Sequence, residues 1–223
     1  MDNWYSLRIA IENEKYDEAI NLLQKFSKGI ISDRKTFYSS LLVLANVGYA
    51  TEVKEILRDT YNPRSDVDLK KIINNSISEY EMKESLTEEQ KDIADRCIEM
   101  IREAFDRHEY DLVYDLCEWG YYVSRLPIFL YYEGKGFYKC HNYVEAEKTL
   151  LKYVELGSVK TPKAYLYLAQ IFKLRKDKPR YLKYKKKVEE VNVVYSNPYY
   201  FYDFINSGID RKKCHIQLNK FIV

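Results

Sequence analysis

Two Cys-His pairs, Cys140-His141 and Cys214-His215, are the residues of this chain best equipped for chemistry. Brought together they would supply four sulfur and nitrogen ligands for zinc. Adjacent positions on a helix point about 100° apart, so both members of a pair seldom reach one ion. Neither a metal site nor any other cofactor is expected. Gly134-Lys-Gly136 invites comparison with a phosphate-binding loop. It lacks the Gly-Lys-Ser/Thr ending of that motif and sits within a helical pattern, so close packing of two helices is its expected role. The carboxylates fall on the polar faces of amphipathic segments. With three histidines and no strand-turn-serine signal, no catalytic residues are assigned and the chain is read as a non-enzyme.

Binding chemistry is better represented. Residues 173–187 hold nine basic residues and one acidic residue, interleaved with Tyr181 and Tyr184 and preceded by Phe172. Arg175, Lys176, Lys178, Arg180, Lys183, Lys185, Lys186 and Lys187 are therefore candidate phosphate contacts, with the rings available to stack on bases. The competing reading is a solvated helix face. The net charge of +2 conceals an asymmetry: residues 1–120 carry 16 basic and 25 acidic side chains, residues 121–223 carry 20 and 9. Such a dipolar chain steers an anionic partner toward its C-terminal half.

The elements that position these residues read as helices. The 223 residues are 46% hydrophobic and 31% charged, with only seven glycines and five prolines, a composition suited to a folded chain with few tight turns. No apolar run has the length of a membrane span, and Met1-Asp-Asn-Trp-Tyr5 has no basic-then-apolar leader pattern. The four cysteines lack C-x-x-C spacing and fall mainly on apolar helix faces, which points to reduced thiols and a cytoplasmic location.

A hairpin pattern recurs every 33–36 residues or so. Its clearest copy is Leu130, Gly134, Phe137, Tyr143 and Ala146, followed by Leu150 and Tyr153. Phe105, Tyr110 and Val113 repeat it upstream, and Tyr165, Leu168, Ala169 and Phe172 downstream. Tyr16 and Ala19 reproduce the Tyr143/Ala146 interval, whereas Ala50 replaces the turn aromatic in the second copy. The pattern resembles the tetratricopeptide repeat, over about two thirds of the chain. Glu133 departs from it, standing where an apolar residue is usual.

The resemblance implies an all-α fold, a right-handed superhelix of about five tetratricopeptide-like hairpins with a C-terminal capping helix. Two hairpins are expected in residues 1–60, a lone helix and a polar linker in 61–86, three hairpins in 87–195, and a cap and tail in 196–223. Thr87-Glu-Glu-Gln90 reads as a capping box, and Thr161-Pro162 as a helix start.

The resemblance also implies an adaptor or regulatory module that binds a protein or peptide in a concave groove. Mapped onto the repeat, Tyr131, Tyr132, Lys135, Tyr138 and Lys139 line that groove from one first helix, and Lys163, Tyr167, Gln170 and Lys173 from the next. Rigid rings and lysines suit an acidic partner. Tyr132 and Tyr167 stand where the carboxylate-clamp subtype has polar residues. Two alternatives stay open: a peptide-sensing regulator of the Gram-positive repeat-domain type, and nucleic-acid binding through 173–187. The former usually carries an N-terminal effector domain, for which repeats beginning at Trp4 leave no room in this sequence. No membrane partner is expected.

Overall fold

The computed structural model describes residues 3–60, 67–157 and 160–195. Among these all regular structure is α-helical: α1 (Asn3–Glu12), α2 (Tyr16–Ser27), α3 (Arg34–Asn46), α4 (Ala50–Asp59), α5 (Val67–Glu84), α6 (Glu88–Arg107), α7 (Tyr110–Ser124), α8 (Ile128–Lys139), α9 (Tyr143–Leu156), α10 (Thr161–Leu174) and α11 (Lys178–Tyr195). Within each unit neighbouring helices pack on one another, an all-α helical-repeat architecture. The chain divides into two compact units, between Asp66 and Val67 and again after Val191. The expected capping helix and tail, with Cys214-His215, lie outside the described residues.

Five hairpins share one closing device. Glu14, Gly48, His108, His141 and Lys176 each adopt a left-handed φ, between 58° and 101°. The N–H of the next residue then donates to the carbonyl five positions back: Lys15 to Ala10, Tyr49 to Leu44, Glu109 to Ala104, Asn142 to Phe137 and Asp177 to Phe172, at 2.8–3.0 Å. This bond satisfies a carbonyl that the ending helix would otherwise leave open. The five turn residues are 34, 60, 33 and 35 positions apart, and the long interval contains α5.

The turn sets a common packing register. Five residues after it stand Ala19, Val53, Val113 and Ala146, and nine after it Leu23, Leu57, Cys117 and Leu150, all buried. Seven before it stand Leu7, Leu41, Ile101, Gly134 and Ala169, also buried. In the α8–α9 hairpin this register admits no side chain at 134, because a Cβ there would lie 2.7 Å from Leu150 Cγ.

In the first unit, the Trp4 ring lies 4.2 Å from Phe26 and 6.5 Å from Phe37. Its indole N–H donates to Ser32 Oγ at 2.8 Å, so α1, α2 and α3 converge on one side chain. Tyr16 packs on Tyr49 of the next hairpin, centroids 5.6 Å apart. Tyr143 instead packs on Tyr138 and His141 of its own hairpin.

In the second unit, α5 corrects the expectation of a polar linker over Glu79–Ser85. The helix continues to Glu84, because Glu and Lys are strong helix formers even without an apolar stripe to bury. Leu69, Ile72, Ile73 and Ile77 bury its inner face. Asn75 Nδ2 donates to the carbonyls of Glu155 (3.2 Å) and Gly157 (3.0 Å) at the end of α9. Lys71 pairs with Glu155, and Asp68 pairs with Lys187 of α11 at 2.5 Å. The capping box opens α6 as expected: Gln90 N–H donates to Thr87 Oγ1 and Thr87 N–H to Gln90 Oε1. The start of α10 differs by one position, with Lys160 as N-cap and Thr161 inside the first turn. Thr161 Oγ1 donates back to the Gly157 carbonyl at 3.1 Å.

Gly134→Ala should lower stability by roughly 1–3 kcal/mol through overpacking against Leu150. Gly29→Ala, where only the Phe26 carbonyl lies within 4.0 Å of a built Cβ, should be neutral or slightly stabilising through reduced unfolded-state entropy. Urea titration of the two variants checks the contrast; equal midpoints would show that α8 and α9 can separate freely.

Candidate functional site

The first helices of successive hairpins in the second unit are α6, α8 and α10, and α8 packs against both of the others. The common register aligns their outer sides. Arg102, Lys135 and Gln170 each lie six residues before a left-handed turn residue, so they form one row across three helices. The Lys135 ammonium sits over the Phe105 ring, 3.7 Å from its centroid, which holds the side chain across α6. Lys160 and Lys163 lie at the N-terminal end of α10. The Lys160 backbone N–H donates to Tyr153 Oη at 2.8 Å, which fixes the entry into α10 against α9.

The tyrosines divide into a floor and a wall. Tyr131 and Tyr132, expected to be partly exposed contact residues, are only 3% and 6% exposed. A first helix in the middle of a stack is covered on both flanks: Tyr131 packs on Tyr153 of α9 at 5.6 Å, and Tyr132 on Phe105 of α6 at 6.2 Å. They are packing residues. Tyr138 and Tyr167 are half-buried, with centroids 4.8 Å apart. Tyr138 Oη donates to Gln170 Oε1 at 2.8 Å, and the Tyr131 and Tyr167 hydroxyls are hydrogen-bonded to each other. Lys139, Lys163 and Lys173 are exposed around them. Of the nine predicted contact residues, seven therefore reach this face and two lie beneath it.

The face is electrostatically unusual. Burial, then repulsion from Lys163, Arg102 and Lys135, brings the Lys160 ammonium down to about 7, with Glu79 opposing the shift. Burial, then Lys163 and Lys139, brings Lys135 down to about 8, with Asp106 opposing. The Lys163 ammonium is also lowered by desolvation, although the side chain as a whole is exposed. Four cations from α6, α8 and the start of α10 thus act on one another. Arg102 and Lys160 were not singled out from the sequence. The signal for Arg102 was present, since it repeats the register of Lys135; Lys160 carries no repeat signature.

The basic segment 173–187 is largely committed to the protein itself. Arg175 and Arg180 both pair with the Glu147 carboxylate, and Arg180 also with Asp177 at 2.5 Å. Lys187 pairs with Asp68, Lys185 with Glu189 at 3.9 Å and Lys186 with Glu190 at 3.5 Å. Phe172 and Tyr184, expected to offer faces to bases, are buried and stack on one another at 5.4 Å. Arg180 lies over the Phe172 ring at 4.4 Å. Lys176, Lys178 and Lys183 are exposed.

Elsewhere, His141 Nδ1 lies 2.8 Å from Tyr143 Oη. Cys97 and Cys117 are free and buried, and Cys140 is free and exposed. Burial pushes the Cys97 and Cys117 thiols up. Among the described residues no group of three or more His, Cys, Asp or Glu is placed to hold a metal. None of the described helices is long and apolar enough to cross a membrane.

The lysine shifts make stability depend on pH. A lysine whose pKa is lower folded than unfolded binds fewer protons in the native state between the two values, so stability rises as pH increases from about 7. The raised cysteine thiols act with the opposite sign once unfolded thiols begin to ionise, near pH 8.5. Urea midpoints should therefore climb between about pH 7 and pH 8.5, and Lys160→Met should flatten the climb. An identical slope in the variant would place the Lys160 ammonium in water.

No family model matches this chain, and no curated protein and no solved structure shows significant similarity to it.

Proposed function

We propose that this protein is a tetratricopeptide-like interaction module of the cytoplasm, binding an acidic peptide or protein segment across α6, α8 and α10. The observation that carries the reading is the row Arg102–Lys135–Gln170 beside the Tyr138–Tyr167 ring pair, with Lys163 at its edge. Half-buried tyrosines offer rigid apolar area at low entropic cost. The cations around them attract acids and set orientation. The turn intervals of 33–35 residues within hairpin runs suit the repeat class that binds partners in this manner. The free cysteines, two of them inside the core, suit a reducing compartment.

The test is a panel of fluorescent acidic peptides with and without aromatic residues, measured by anisotropy. For the tightest binder, Tyr138→Ala combined with Tyr167→Ala should weaken affinity at least tenfold, about 1.4 kcal/mol, measured below the melting temperature of the variant, with circular dichroism confirming that it is folded. Lys178→Ala, in the basic segment, should leave affinity unchanged. A folded double variant that binds like the parent would remove the partner from this face.

A further inference from the structure

The α6–α7 hairpin opens the stack of the second unit, and its side turned away from α8 carries apolar residues in the open. Tyr114 fixes the orientation of α7 by stacking on Phe137 of α8, centroids 4.7 Å apart. At about 100° per residue, Leu112 and Leu116 lie about 160° around the helix from Tyr114, and Trp119 about 140°. Met100 stands about 140° around α6 from Phe105, the ring that packs on Tyr132 of α8. Both helices show this side to solvent: Met100 is 48% exposed, Leu112 38%, Trp119 53% and Tyr122 67%. Trp119 and Tyr122 stack at 6.1 Å, and the Arg125 guanidinium lies over the Tyr122 ring at 5.7 Å. The exposed rings therefore hold one orientation before any partner arrives. The charge beside them is negative. Asp111, Asp115 and Glu118 are exposed at i, i+4 and i+7, and Asp115 is three residues from Leu112 and four from Trp119, on the same surface. On α6, Asp92 and Glu103 are taken up by Arg96 and Arg107. Among the described residues no cation pairs with Asp111, Asp115 or Glu118.

We propose that this side of α7 is a docking surface for a basic amphipathic helix of a partner protein. Leu112, Leu116 and Trp119 recur at i, i+4 and i+7, the ridge along which a second helix packs its own apolar stripe. Trp119 is the central anchor, a large ring with a donor at its edge and open to a partner on one side. The three carboxylates alongside call for lysine or arginine on the flank of the incoming stripe, and they steer such a helix to this side of the hairpin. A second copy of the chain is a poor occupant, because a two-fold pairing sets Asp111, Asp115 and Glu118 of one α7 against the same three of the other. The surface is separate from the face that carries Arg102 and Lys135. Met100 and Arg102 are two residues apart, which places them about 160° from one another around α6. The two surfaces select opposite charge, so the hairpin stack can join a basic helix on its outer end to an acidic segment on its inner face.

The experiment uses the full chain and three designed, fluorescein-labelled peptides: a helix with leucines at i, i+4 and i+7 flanked by lysines, the same helix with glutamate for lysine, and a scramble of the first. Anisotropy should show the basic amphipathic helix binding at least about tenfold tighter than either of the others. Its docking should protect Trp119 fluorescence from iodide quenching. Trp119→Ala, at a side chain already half in water, should keep the helical circular dichroism signal and lose at least about tenfold in affinity. Asp111→Asn combined with Asp115→Asn should weaken binding and flatten its dependence on salt. Leu182→Ala, an exposed leucine on α11, should leave affinity unchanged. If the scrambled peptide binds as well as the amphipathic one, the attraction is diffuse charge and the docking surface is overturned. Unchanged binding by folded Trp119→Ala, or no binding of any peptide to the parent, overturns it too. Light scattering that finds a dimer in the parent and a monomer in Trp119→Ala would give the surface to a second copy and overturn the basic-helix assignment. None of these outcomes bears on the inner face, whose acidic-peptide test reads different residues.

Discussion

The structure depends on one backbone hydrogen bond, repeated five times. At each hairpin a residue enters the left-handed region, and the next amide closes on a carbonyl five positions back. Four of the five residues are not glycine, and each such residue costs about 1–2 kcal/mol in conformational energy. That cost is offset by satisfying the terminal carbonyl and by fixing where the second helix begins. Once its start is fixed, the buried positions before and after the turn follow at constant offsets. Gly134 opposite Leu150 is the most exacting product of that geometry, since the offset leaves no volume for even one carbon.

The same device creates the charged face. Because α6, α8 and α10 are the same helix of successive hairpins, a given offset places three side chains in a row. Arg102, Lys135 and Gln170 occupy such a row, and two of the three are cations. Long stems let their charged ends stay near water while the methylenes cover apolar surface. For Lys135 the Phe105 ring supplies part of the solvation that packing removes. Lys160 has less help, and its ammonium is the more strongly depressed of the two.

Helical content and hairpin spacing were legible because apolar periodicity is a property of consecutive residues. Tyr16, Tyr110 and Tyr143 marked the second-helix starts correctly, two positions after the turn residue in each case. The turn residues themselves carried little signal, since Glu14 and Lys176 are not types that favour left-handed backbone and His108 and His141 visit it only as a minority conformation. Tyr131 and Tyr132 were misplaced because a helical wheel assigns a face but not the width of neighbouring cover. Flanked by α6 on one side and α9 on the other, α8 keeps much less of its circumference open than a terminal helix would. The helix over Glu79–Glu84 was missed for the opposite reason: its residues favour helix by propensity and have almost no apolar stripe to announce it.

The positive charge of the chain is therefore divided into two populations by pairing. In residues 173–187 carboxylates arrive from other elements and from the next helical turn, Glu147, Asp68, Glu189 and Glu190 among them, and turn a conspicuous basic run into structural ion pairs. Exposed pairs of this kind contribute little to stability individually, but they lower the field the segment presents to an outside anion. On the α6–α8–α10 face the cations come from different helices. There Lys163, Arg102 and Lys135 act on Lys160, and Glu79 and Asp106 act in the opposite sense on Lys160 and Lys135. Linear charge density singled out the first population, whereas only the stacking of first helices assembles the second. A cluster of cations therefore forms where the sequence looks less basic, beside the half-buried Tyr138 and Tyr167.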